Sequence, residues 1–173
     1  HGAGHCFVER FIDDGMGNPD VILLHGGTND VSNRGKSISI YPGYPIYKAS
    51  DYDESACPTD AEMKVVFDEA DSATTRAQIE ALDDTTFVYA YVKLLSLMHQ
   101  QYPSAKVVMI IGDWIPAGTR QAILKIATHY EARYGYKCVD LQEISPYRTS
   151  TVIPKEAGSH PNEEGFEVMA NYI

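Results

Sequence analysis

The chain has 173 residues, 44% of them apolar, and a net charge of −10 at neutral pH. A chain of that length is one domain by ordinary proportions, and it buries about 70% of its unfolded surface, so it needs no disulfide or metal staple. The acidic balance excludes the basic footprint of a nucleic-acid binder and disfavours docking on an anionic membrane. No apolar run approaches the ~20 residues of a membrane-spanning helix. The three cysteines, Cys6, Cys57 and Cys138, are odd in number and widely spaced. They allow at most one intrachain disulfide and form no metal-ligand spacing such as C-x-x-C, so no metal and no cofactor is expected. No signal-peptide pattern opens at His1, and the compartment stays open.

His1 to Cys6 offers zinc-ligating residue types, but no acidic partner lies near, and the stretch reads as a frayed end. Phe7 to Asp14 carries apolar residues at 7, 8, 11 and 12, which predicts a short helix ending near Gly15 or Gly17. Val21 to Leu24 is a branched apolar run closed by Gly26-Gly27. It predicts a strand buried on both faces, as in a parallel sheet, which delivers Asn29 and Asp30 to its carboxyl end. Ligands of open α/β sheets bind at that end. Paired glycines let the backbone pass close to a ligand, and an Asn amide is the kind of donor that stabilises an oxyanion.

Residues 31 to 58 read as irregular, with tyrosines at 41, 44, 47 and 52. Tyr44 and Tyr47 suit stacking on a sugar ring or acyl group, in a loop that leaves directly from the Asn29 corner. Thr59 and Glu62 make a capping box for a helix with Met63, Val66, Phe67 and Ala70 on one face. A weaker helix falls within 72 to 82. Residues 31 to 82 together read as an insertion that could act as a lid.

Asp84 is the expected cap of a long helix ending before Tyr102-Pro103. His99, in its last turn, is read as structural. Lys106 to Asp113 is the next strand, and Trp114 at its end is a candidate pocket wall. Pro116 to Tyr134 is a helix with Thr119 as its cap and Gly135 as its stop. Tyr136 to Leu141 is a short strand, with Cys138 in the core rather than catalytic. After a loop bearing Gly158-Ser159-His160, the last helix places Phe166, Met169, Ala170 and Ile173 on one stripe. Strands alternating with helices imply a parallel sheet with right-handed crossovers.

Two blocks together carry a resemblance. Gly27-Thr28-Asn29-Asp30 and His160-Pro161-Asn162-Glu163-Glu164-Gly165 stand in the order and context of the Gly-x-Asn-Asp and His-Pro-Asn-x-x-Gly segments of SGNH (GDSL-type) hydrolases, which the chain resembles from about Phe7 onward. The resemblance implies a three-layer α/β/α domain of flavodoxin-like SGNH architecture spanning residues 1–173, with the N-terminal strand missing. It implies that His160 is the catalytic base and Asn29 an oxyanion donor, with Gly27 at the turn. It also implies a serine ester hydrolase, and the secreted or periplasmic setting common in that family.

The chain departs from the pattern in two places. No Gly-Asp-Ser block precedes Asn29, where Cys6 and Thr28 are the only nucleophilic residues, and Ala157 stands where the family's aspartate precedes the histidine. Ser159 is a poor nucleophile for His160, because adjacent side chains on an extended chain point apart. The reading is therefore a fragment of an acyl or acetyl esterase, inactive alone, whose substrate is a small-molecule or glycan ester. The tyrosine-rich insertion favours a carbohydrate. The rival is a non-catalytic carbohydrate- or ligand-binding relative. A nucleotide-binding module of flavodoxin type lacks the necessary glycine-rich phosphate loop.

Overall fold

Among the described residues, three parallel strands carry everything else. In the computed structural model, which describes residues 8, 11–12, 17–27, 38–46, 49–145, 152–155 and 160–173, β1 (Val21–His25), β2 (Lys106–Ile111) and β3 (Lys137–Asp140) pair side by side in that order. The register aligns Leu23 with Val108 and Met109 with Cys138. Five helices accompany the described strands: α1 (Asp60–Ser72), α2 (Arg76–Glu80), α3 (Phe87–Gln101), α4 (Ala117–Tyr134) and α5 (Glu163–Tyr172). The class is α/β with an open parallel sheet, compatible with three layers.

Period-two alternation divides the strands between two cores. On the first face, Ile22, Leu24, Val107, Met109 and Ile111 pack with Val88 and Leu95 of α3 and Ile123 and Ile126 of α4. Both connecting helices lie on this face, as right-handed crossovers running in one direction require. On the second face, Val108, Ile110 and Val139 pack with Leu141, Ile153, Val168 and Met169, so α5 covers β2 and β3 there.

β1 departs from the expected burial on both faces. Ile22 and Leu24 are buried, whereas Val21 and Leu23 are 52% and 58% exposed. The strand is an edge of the described sheet, and its second face has no described cover. The last helix also departs. Met169 is buried as expected, but Phe166, Ala170 and Ile173 face solvent, and the packed stripe is Gly165, Val168 and Met169.

The caps show where sequence and packing agree. Thr59 and Glu62 form the expected reciprocal box, and Thr75 with Gln78 forms a second one that starts α2. Asp84 does not cap α3. Thr86 holds that position, and Asp84 instead pairs with the buried Lys93, 2.8 Å away. Thr119 is not a cap either: Pro116 precedes α4, and Thr119 lies buried in its first turn. Gly135 ends α4 in left-handed backbone at φ 71°, where glycine carries no Cβ penalty.

The described part of the insertion is docked on the body. The amides of Phe87 and Val88 donate to the carbonyls of Ser39 and Ile40, and the Gly118 amide donates to Glu54 O at 2.8 Å. A Cβ at Gly118 would stand 1.9 Å from Ala56 O, so only glycine lets the two backbones approach this closely. Lys125 reaches Pro58 O, and Phe67 of α1 stacks on His129 of α4 with centroids 4.1 Å apart.

Candidate functional site

The strands point their carboxyl ends at one edge, and chemistry-bearing side chains gather there because each strand stops at glycine or a polar residue. β1 ends at His25-Gly26-Gly27. Gly27 is buried at φ 102°, and a Cβ there would meet the Phe87 ring at 3.0 Å. Left-handed backbone and an aromatic wall both demand glycine, so the turn after β1 is fixed by the first residue of α3.

β2 ends at Gly112-Asp113-Trp114. The Asp113 carboxylate is nearly buried and forms a close ion pair with Lys155, whose ammonium also lies 5.0 Å from the Trp114 ring centroid. The Ser145 hydroxyl, fully buried, donates to the same carboxylate at 3.3 Å. His25 stands near enough to feel it. Crowding around the ring holds the His25 imidazole below its usual range, and the Asp113 charge opposes that shift in part. Gln142, from the turn after β3, donates to the carbonyls of Gly112 and Ile115 and fixes the backbone between them.

The loop before α5 is tied to this edge through Lys155, which bridges antiparallel to Pro161. The Asn162 amide donates to Pro154 O at 3.0 Å, and the Asn162 side chain caps α5 by accepting from Gly165 N at 2.9 Å. A Cβ at Gly165 would stand 2.1 Å from Pro154 O. The Asn and the Gly of the His-Pro-Asn-x-x-Gly segment thus have structural duties: one starts the helix, and the other lets a strap cross it. His160 remains outside those duties, with its side chain exposed to solvent.

The structure therefore brings Gly27, Trp114 and the strap bearing His160 to the carboxyl end of the sheet. Trp114 is half-buried there beneath Lys155. Tyr44 lines a narrow hollow with Ile40, Tyr52 and Thr119, and its hydroxyl is 3.1 Å from Glu62 Oε2 and 3.4 Å from Cys57 O. Asn29 and Tyr47 lie outside the described residues, as do Thr28, Asp30, Ala157 and Ser159. Cys138 is half-buried and packs against the core, and burial pushes its thiol up to about 12, the inert state expected for it. Among the described residues, no group of three or more His, Cys, Asp or Glu side chains could hold a metal ion.

Neither composition nor spacing singles out Ser145 or Lys155 as a site residue. Gly112-Asp113 at a strand's carboxyl end was a usable signal, because that is where α/β sites form. Nothing local marks Lys155, whose partner is 42 residues away. No family model matches the chain, and comparison with curated proteins and with solved structures returns no match.

Proposed function

We propose that this chain is the His-bearing part of an SGNH-type ester hydrolase, acting on acyl or acetyl esters of a carbohydrate, with its serine nucleophile outside these 173 residues. The observation that supports it is the convergence of two motifs on one edge. The Gly-Gly turn after β1 and the strap before α5 both reach the carboxyl end of the sheet, through Gly27 on one side and the Lys155–Asp113 pair on the other.

In this reading His160 takes the proton from the incoming serine hydroxyl and returns it to the leaving alkoxide. The Asn29 amide donates to the oxyanion of the tetrahedral intermediate. An exposed imidazole beside the Lys155–Pro161 bridge fits a base that must meet a group supplied from elsewhere. Trp114 forms an apolar wall, and Lys155 above it, paired with Asp113, ties the strap to the same edge. With Ala157 in place of an aspartate, the neighbouring Glu156 or a backbone carbonyl is left to orient the imidazole. Loss of an orienting acid costs less than loss of the nucleophile.

The absent Gly-Asp-Ser block and Ala157 favour one rival, a carbohydrate- or ligand-binding relative without chemistry. Fluorophosphonate labelling and p-nitrophenyl acetate turnover of the polypeptide at its natural length decide between them. The hydrolase reading expects labelling at a serine outside residues 1–173, and a His160→Ala loss of about 10³-fold or more. An unlabelled, inactive full-length protein overturns it. So does His160-dependent turnover by the 173-residue chain alone, because that would place the nucleophile within it.

A further inference from the structure

The amino edge of the sheet, opposite the candidate site, is closed by aromatic rings. α3 ends at Gln101 and α4 at Tyr134, and Gly135-Tyr136 leads from α4 into β3. His99, in the last turn of α3, lies flat on the Tyr134 ring, with centroids 3.6 Å apart and planes 20° apart. Tyr136 meets the same imidazole edge-on at 6.2 Å. Beside them Tyr130 stacks on Tyr136, and its hydroxyl, donating to Val92 O at 3.0 Å and paired with Ser96, anchors it to α3. One imidazole thus sits at the joint between the ends of two helices and the turn into β3.

The joint suits the neutral imidazole. The ring is half-buried, and its Nδ1 is wholly buried with no hydrogen-bond partner among the described residues. An imidazolium carries an N–H at both nitrogens, so protonation buries a charged donor that has no acceptor. α4 sets a second cation beside it, since the Arg133 guanidinium lies 5.4 Å from the centroid of the same Tyr134 ring. Asp71 of α1 pairs with Arg133 at 2.5 Å and faces His129 at 3.2 Å, and Glu131 of α4 pairs with Lys137 at 2.5 Å, so both carboxylates already have cations. From α2, Arg76 pairs with Glu80 and donates to Gln101. Burial pushes the Tyr136 hydroxyl well above its usual range, so no phenolate forms to balance a charge at the joint. One interaction favours the cation, its attraction to the face of Tyr134. Burial first, and then Arg133, outweigh it and hold the His99 imidazole below its ordinary range.

We propose that this joint is an acid-operated latch: protonation of His99 parts the last turn of α3 from Tyr134 and Tyr136, while the Tyr130 anchor and the sheet stay in place. The neutral ring closes the latch. The open form takes up the proton because both ring nitrogens then meet water. The open form binds protons at the ordinary histidine value of about 6.5, and the closed form only at lower pH. The latch is therefore tightest above about 6.5, and its open population rises by up to about tenfold per pH unit below that. Such an opening is local, since it releases two helix ends without exposing the core strands. The inference stands whether or not the hydrolase reading does, because its residues lie at the other end of the sheet.

Two amides report on the joint: Tyr102 donates to Met98 O at 2.8 Å and Gly135 to Glu131 O at 2.9 Å. Their hydrogen exchange is followed by NMR from about pH 7 to 5.5, corrected for the intrinsic effect of pH, and the His99 Cε1–H signal is titrated over the same range. Both readouts use the unsubstituted chain, so they do not depend on a variant folding. His99 should titrate below the ordinary value of about 6.5. Protection of both amides should fall by about threefold or more on acidification, through an opening less sensitive to urea than exchange of the β2 amides. His99→Gln should abolish that fall. Four results overturn the proposal: a His99 that titrates at or above its ordinary value, protection of the two amides that ignores pH, a fall that matches β2 in its urea dependence, or a fall that persists in His99→Gln.

Discussion

Replacing Lys155 with Met removes the ammonium from a carboxylate that is almost out of water. The Lys155 and Asp113 side chains keep only 16% and 13% of their exposure. Breaking a buried pair by removing one partner costs about 3–5 kcal/mol, because the remaining charge stays buried without compensation. Here the residual exposure and the Ser145 hydroxyl, still 3.3 Å from the carboxylate, soften the loss. The expected destabilisation is about 2–3 kcal/mol. With a urea slope near ~2–3 kcal/mol per molar, the midpoint falls by about 1 M. The assay is urea unfolding followed by far-ultraviolet circular dichroism at neutral pH. Lys155→Met/Asp113→Leu should recover more than half of the loss, since a packed apolar pair carries no desolvation penalty. Losses below about 0.5 kcal/mol, the range of ordinary surface substitutions, would refute the reasoning. So would a double variant that merely sums the two single losses, which would mean that the strap before His160 is held by something other than this ion pair.

Gly165→Ala forces a methyl against Pro154 O and should cost about 1–3 kcal/mol, read as a melting temperature lower by ~2–4 °C per kcal/mol; an unchanged melt contradicts the close crossing. Burial holds the His25 and His99 imidazoles below their ordinary range, with the Arg133 charge adding to the effect at His99. The unfolded chain therefore binds protons at these sites first as pH falls below about 6.5, so their contribution is full above that pH and lost on acidification. His99→Gln should flatten the acid limb of a stability–pH curve, and an unaltered limb counts against the assignment. The Cys138 thiol, pushed up to about 12 chiefly by burial, should alkylate with iodoacetamide at pH 8 far more slowly in the native protein than in urea; equal rates would contradict its place in the core.

Local signals carried much of the fold. The Thr59–Glu62 box, the glycine stop at 135 and the alternation of branched runs with helical stripes placed the described strands and helices closely. The errors came from tertiary choices. Asp84 has the chemistry of a cap, but Lys93, nine residues on, offers a charge, and Thr86 takes the position. Val21 to Leu24 reads as buried on both faces because composition cannot say whether a neighbour is present to cover it. Phe166, Met169, Ala170 and Ile173 lie within one broad helical arc, and the strap at Pro154 decides that Gly165 and Met169 turn inward. At the site, the turn glycine and the His160 strap were legible as motifs. Lys155 and Ser145 were not, since a contact spanning 32 to 42 residues leaves no periodic trace.

In the hydrolase proposed above, the loop after β1 and the strap before α5 share one pocket. Each catalytic group should stand about 3 Å from the reacting atom, so the Asn29 and His160 side chains should lie within roughly 6–7 Å of each other. Asn29→Cys/His160→Cys, on a background with Cys6, Cys57 and Cys138 changed to Ser, measures this through cross-linking by a bifunctional thiol reagent of that reach. Intramolecular cross-linking is expected in most molecules of the folded chain, and its loss in urea. Both thiols reacting singly in the folded chain, with no cross-link, would contradict it.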